Sequence, residues 1–442
     1  MQTPLARFQR LLRIPTVSHA DESLVARGAF DEFHAELARL YPRTHRALAR
    51  EQIAGHTVLY RWPGASAEGP LVLMAHQDVV PVVPEEWAHD PFGAEIVGTG
   101  ADAAVHARGA IDDKGALVAI MEAVEGLVGE GFVPARDVYL AFGHDEETAG
   151  DGAAAVVELL RARGIRPGLV LDEGGAVVEG VLPGVDRRTA MIGVAERGHM
   201  TAWLVAHEAG GHASTPPALP ATARLARALT RLQRRPFPRR ISAPVRAMLA
   251  TVAPHARQPL RTVFRNATLV GPLLSAVFAR MGPETNALVR TTAVATELHG
   301  APGENVLATT ARAAVDIRLL TGDTVAGATE RLRAVIADEG IRIEVRRAAE
   351  PSPVSPWRGE QWRRLAGAIA TALDEDIVPT PYLQLGASDS RWFTAISDHV
   401  YRFTPFHLTR SERDALHAHD ERIRVDVWLR GIDFYRALIT RS

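Results

Sequence analysis

The stretch VYLAFGHDEE, residues 138–147, decides the fold. Val138–Phe142 are apolar without a break and end in a polar cluster, Gly143-His144-Asp145-Glu146-Glu147. A short apolar run bounded this way reads as a strand buried on both faces of a parallel sheet. The same grammar recurs on either side. LVLMA (71–75) leads into His76-Gln77-Asp78, and LVL (169–171) leads into Asp172-Glu173-Gly174-Gly175. Between the first two runs, Leu117, Ile120, Met121, Val124, Leu127 and Val128 share one helical face. Asp112 and Asp113 sit at the start of that helix, where carboxylates cap free amides and suit the dipole. A further helix, roughly 153–163, separates the second and third runs. The expectation is an α/β fold: a mixed, mainly parallel sheet with helices on both faces.

Such sheets bind ligands at the carboxyl ends of their strands. His76, Glu146, Glu147 and Asp172 each follow a strand directly and should gather along one edge. Farther out, the character changes near residue 195. MTAWLVA (200–206) is strand-like, His212 lies in GGHASTPP (210–217), and an Arg-rich helical region runs to about 265. TTAVATEL (291–298) and AAVDIRLL (313–320) are strand-like again. Two strands, helices and two more strands predict a smaller α+β domain over 196–317, a lid or dimerisation module inserted between catalytic segments 1–195 and 318–442. Residues 300–304 and 351–356 read as loops. From about 321 strands and helices alternate again, ending in HAHDE (417–421) and a final helix, 424–440.

Bulk properties narrow the classes. The 442 residues imply more than one domain. A net charge of −2 disfavours both nucleic acid and an anionic membrane as partners. There is no cysteine, so disulfides and thiolate ligands are excluded. No apolar run of signal-peptide or membrane-span type occurs, and the expectation is a soluble, cytoplasmic protein. Every basic residue is arginine except Lys114, which follows Asp112-Asp113 and is expected to anchor that loop.

His76, Asp78, Asp112, Glu146, Glu147 and Asp172, joined by His417, would crowd several carboxylates together. Singly, each has a plainer explanation: hydrogen bonding for His-x-Asp, capping for Asp112-Asp113, a solvated pair for Glu146-Glu147, turn chemistry for Asp172. Their coincidence at strand ends favours function. A pair of divalent cations removes the cost of burying the charges. Imidazole with carboxylate oxygen suits zinc, more often at open catalytic sites than at closed structural ones.

HQDVVP (76–81), WAHDPFGAEI (87–96), ARGAIDDKG (107–115), FGHDEETAGDGA (142–153), LDEGG (171–175), GGHASTPP (210–217) and HAHDE occur in that order. Together they resemble the two-zinc peptidase family of aminoacylase, succinyl-diaminopimelate desuccinylase and carboxypeptidase S, and are most similar to the carboxypeptidase S branch. The resemblance implies a metallopeptidase or aminoacylase-like hydrolase using two zinc ions, with cobalt or manganese as substitutes. His76 and Asp172 would hold one ion, Glu147 and His417 the other, and Asp112 would bridge. Asp78 would orient His76, and Glu146 would take a proton from water and pass it to the leaving amine. HAHDE departs from the family's usual ending, so His419 competes with His417. His212 would stabilise the oxyanion, often from a partner subunit of a homodimer. Arg290, Arg318 and Arg391 are candidates for the substrate carboxylate, with Asn305 and Gly386 nearby. The implied reaction is hydrolysis of a small peptide or N-acyl amino acid. The alternatives are a biosynthetic deacylase of acetylornithine or succinyl-diaminopimelate type and a non-catalytic metal-binding relative.

Overall fold

The structure is a computed structural model and describes residues 2–442. Its centre is an eight-stranded sheet, ordered 49–53, 57–62, 136–143, 66–76, 169–178, 400–407, 189–196 and 378–384. The strands 66–76, 136–143 and 169–178 run parallel, as their apolar runs predict, and 400–407, which is interrupted by Arg402 and Thr404, joins them in parallel. Helix Lys114–Gly129 is apolar nearly all round because it lies between this sheet and helices Pro4–Leu12 and Val425–Thr440. Truncating one of its fully buried side chains, such as Leu117, would cost about 2–5 kcal/mol. Phe8 stacks on Trp428 at 4.3 Å, and the Trp428 indole donates to Gly115 O at 3.0 Å. A Cβ on Gly115 would collide with the carbonyl of Ala110, so only glycine lets the Asp112 loop fold back on the helix start.

The inserted domain is larger than the expected 196–317. Its antiparallel sheet has the order 292–299, 310–319, 198–207, 341–349, and helices Ala221–Arg234 and Val325–Ile336 cover one face. The last strand, IRIEVRRAA, escaped the sequence reading because it is a charged edge strand with no apolar run. The second catalytic segment therefore resumes near 350, not 318. The helical region also runs on to Val289, and its helices between Ala243 and Val289 pack into the core of the central sheet, not into that of the lid. No helix among the described residues is long and apolar enough to cross a membrane.

Candidate active site

Parallel strands deliver their ends to one edge, and the acidic and imidazole groups collect there. His76 ends strand Ser66–His76, and its Nε2 lies 2.9 Å from Asp112 Oδ1 and 3.7 Å from Glu173 Oε2. His417 Nε2 lies 3.1 Å from Asp112 Oδ2 and 3.1 Å from Glu147 Oε2. Two groups of three side chains that could hold a metal ion result, His76–Asp112–Glu173 and Asp112–Glu147–His417, sharing Asp112. Each oxygen of Asp112 faces a different histidine. His419 points elsewhere, to Glu86 at 3.3 Å.

The structure puts Glu173, not Asp172, beside His76. Successive side chains of a strand point to opposite faces. Asp172 continues the face of Val170, which the turn Asp389–Ala395 covers, and its Oδ2 accepts from Ser390 N at 2.8 Å. Glu173 continues the face of Leu171, on the side of the helix that Asp112 precedes. Asp172 belongs instead to a buried network. Ser390 Oγ meets Ser388 Oγ at 2.7 Å, Ser388 N donates to Glu196 at 2.9 Å, and Glu196 lies 3.5 Å from the fully buried Arg402.

Asp78 has a broader part than orienting His76. The Nδ1 of His76 bonds to the backbone O of Asp78 at 2.9 Å, with the Asp78 carboxylate at 3.4 Å, so Nε2 is the nitrogen free to ligate. The Asp78 oxygens accept from the backbone N–H groups of Glu146 and Glu147, at 3.3 and 3.1 Å. One carboxylate thus ties the histidine to the loop carrying both glutamates. Asp113 stands at the N-cap of its helix without capping it; its carboxylate accepts from His76 N at 3.3 Å.

The sequence reading also missed Glu421. Fully buried, it accepts from the backbone N–H groups of Gly109, Ile111 and Asp112, at 3.0, 2.7 and 3.1 Å, and pairs with Arg108 at 2.7 Å. Its position at the end of HAHDE was the available signal. Lys114 is buried, donates to Ile14 O at 2.6 Å and sits over the Phe33 ring at 5.1 Å. Burial lowers its pKa to about 7, and its bonding anchors the Asp112 loop to the amino-terminal segment.

The electrostatics match a cation site. Burial, the Glu173 charge, Asp389 and Glu147 hold Glu146 well above the usual carboxylate range, against the pull of His76. Burial and the Asp112 charge do the same to Glu173. Burial opposes charge on His76, yet Glu173, Asp112 and Asp78 outweigh it and raise its pKa well above the usual value. Hydrogen bonds to Asp112 and Glu147 raise His417 to about 10. Glu147 Oε1 is buried without a hydrogen-bond partner. Crowded carboxylates that resist ionising, histidines aimed at them, and an orphaned carboxylate oxygen fit hard or borderline divalent cations.

The other expected residues lie apart from this cluster. His212 is exposed on a two-residue strand paired with Val306–Leu307, and its Nδ1 accepts from Ser214. Asn305 meets the same hairpin, its O accepting from Ala213 N at 3.1 Å. Arg318 pairs with Asp316 at 3.1 Å. Arg290 adjoins Arg239, and its Nε is buried without a partner. Arg391 donates to Ser388 O at 3.0 Å, and Gly386 precedes the same turn. Arg197, unremarked in the sequence, braces the crossing into the lid by donating to Arg290 O and Arg318 O. A cavity of about 470 Å³ lies where lid and catalytic domain face each other, with Ser18, His56, His144, Asp145 and Arg347 in its wall.

An α/β sheet with imidazole and carboxylate donors gathered at its strand ends is the framework of a metallopeptidase-type hydrolase. The family model described as Peptidase family M20/M25/M40 matches residues 72–441, and the chain belongs to that family. It is a hydrolase of amide C–N bonds. The chain is 32% identical over 440 residues to a Xenopus tropicalis protein named N-fatty-acyl-amino acid synthase/hydrolase PM20D1, covering 98% of this chain and 84% of the relative. It is likewise 32% identical to the probable carboxypeptidase S-like 2 of Dictyostelium discoideum, covering 99% and 84%. Among solved structures, the M20 family metallo-carboxypeptidase Sso-CP2 from Sulfolobus solfataricus superposes with a TM-score of 0.70 at 17% identity, covering 100% of this chain and 99% of that one. A Bacillus subtilis protein described as a dinuclear metal binding peptidase shares the fold at a TM-score of 0.56.

Proposed function

We propose that this protein hydrolyses, with two zinc ions, an amide bond whose nitrogen belongs to an amino acid with a free carboxylate. Substrates are N-acyl amino acids, long-chain acyl groups included, or small peptides cleaved at the carboxyl end. What supports a pair of ions is one observation: the two oxygens of Asp112 each face a separate donor group. His76 and Glu173 would hold one ion, Glu147 and His417 the other, with Asp112 between them. The names of the relatives, N-fatty-acyl-amino acid hydrolase and carboxypeptidase S-like, support the substrate class.

The ions, when bound, neutralise the carboxylates and bring water towards a neutral pKa. The chain's own residues do the rest. Asp78 ties the loop of Glu146 and Glu147 to His76, which would hold Glu146 in a set position beside the cluster. Glu146 accepts a proton from the attacking water and delivers it to the leaving nitrogen, while the hydroxyl ends on the acyl carbon. His212 belongs to the lid, and its role is to donate to the developing oxyanion when lid and catalytic edge close on each other, within one chain or between two.

A hydrolysis screen over N-acyl amino acids and dipeptides, with zinc, cobalt or manganese added, tests the substrate class. Glu146→Gln should reduce kcat by about 10²–10⁴-fold while keeping two ions per chain. Undiminished turnover in that variant would remove Glu146 from the mechanism, and no cleavage of any amino-acid amide would refute the substrate class.

A further inference from the structure

The overall charge of −2 conceals a strong segregation. Residues 221–290 contain thirteen arginines and a single carboxylate, Glu284, a net of +12, so the remainder of the chain carries −14. Some of these arginines are neutralised locally, Arg224 by Asp338, Arg240 by Asp323 and Arg257 by Asp186. Arg261, Arg265 and Arg280 are exposed and form no ion pair among the described residues.

An exposed apolar series runs through the same place. Leu269, Leu273, Val277 and Met281 follow one another at intervals of four and are 80%, 70%, 45% and 47% exposed. Helix Gly271–Met281 carries the last three on one face, with Arg280 flanking them. Arg261 and Arg265 continue the spacing of four upstream, across the turn into helix Leu260–Arg265. The opposite side of these helices, Phe264, Leu274 and Phe278, is already buried in the core of the central sheet, so the outer stripe is not needed for folding. Scattered exposed apolar side chains need no explanation, but four in series do.

We propose that segment 257–281 docks on an anionic lipid surface, with Leu269, Leu273, Val277 and Met281 entering the interface and Arg261, Arg265 and Arg280 meeting headgroup phosphates. An apolar face bordered by arginine is the composition of helices that lie in a membrane interface. The charge selects this occupant. A second copy seated on the stripe would bring the unpaired Arg261, Arg265 and Arg280 of one copy against those of the other. A nucleic acid would want exposed aromatic rings for its bases, yet both phenylalanines of the segment are turned inward. The inference stands on this surface alone and holds whichever amide is cleaved.

The test is sedimentation of the full chain with phosphatidylcholine vesicles, with and without phosphatidylserine. Binding should require phosphatidylserine and weaken with salt. The triple change Arg261→Gln, Arg265→Gln, Arg280→Gln should weaken partitioning by about a hundredfold. Leu269→Ser with Leu273→Ser should weaken it about tenfold or more, leaving hydrolysis of a soluble substrate unchanged. Leu273→Trp should show a blue-shifted emission on mixing with the vesicles, a readout independent of the serine variants. The proposal is overturned if the wild type stays in the supernatant, or if the serine variants bind as well as wild type. It is equally overturned if those variants merely convert a dimer to a monomer, or if a nucleic-acid duplex is bound in place of the vesicles.

Discussion

The acidic cluster at the sheet edge and the His212 hairpin of the lid are both candidates for the chemistry, and the chain builds them to different degrees. In the cluster three of the five candidate ligands are held by a second group: His76 by Asp78, Asp112 by the bonds of Glu421 to its loop, Glu147 by the Asp78 carboxylate on its amide. The hairpin has two residues in each strand and an exposed histidine bonded only to its neighbour Ser214. A site that must hold multivalent cations has to be preorganised, because the donors repel one another until the ions arrive. A group that acts only on the developing oxyanion can wait on a separate element and be delivered by closure. The comparison teaches where rigidity is required: at the ligands and not at the donor.

Asp112→Ala removes the carboxylate that both donor groups share. With the shared carboxylate gone, ion content by elemental analysis should fall from two per chain to near zero and hydrolysis to background. One ion retained would refute the bridging role. Next in size is a contrast between neighbours. Glu173→Gln should lose one ion and most activity, whereas Asp172→Asn should keep both ions and lower stability by about 1–3 kcal/mol through its Ser390 bond. The reverse pattern would restore Asp172 as the ligand. Glu421→Gln tests the supporting layer, with an expected 10–100-fold loss of ion affinity, roughly that of other groups orienting a ligand. His212→Ala should lower kcat by about 10²–10³-fold with ion content and melting temperature unchanged. Mixing His212→Ala with Glu146→Ala chains then asks whether the histidine acts across subunits, since only a mixed dimer with trans delivery recovers activity.

How far the sequence carried the reading depends on the kind of signal. The parallel strands were legible because Leu71–Ala75, Val138–Phe142 and Leu169–Leu171 are unbroken apolar runs, and their polar ends place His76, Glu146 and Glu147 on one edge. Asp172 and Glu173 adjoin in sequence but point to opposite faces, so which one reaches His76 depends on which face the Asp112 helix covers. Glu421 and Arg197 act through backbone groups distant in the chain; such bonds leave no residue pattern, and only the place of Glu421 at the end of HAHDE pointed to it. The edge strand Ile341–Ala349 carries alternating charge instead of an apolar run, which hid the end of the lid. The basic stripe was lost in a chain-wide average, since +12 in one segment cancels almost entirely against the rest.

The smallest effect separates the cluster without ions from the loaded one by pH. Bonds to Asp112 and Glu147 raise His417 from its ordinary 6.5 to about 10 in the folded chain, and His76 is raised as well. A folded pKa above the unfolded one stabilises fully below about 6.5, and the contribution fades as pH rises towards 10. Chelated protein should therefore lose melting temperature steadily over that interval. Cation binding has the opposite sign, because an imidazole must be neutral to ligate, so loaded protein should hold or gain stability over the same range. His417→Gln should flatten the slope of the chelated form and weaken the gain on loading. Parallel slopes with and without chelator would mean that His417 does not ligate.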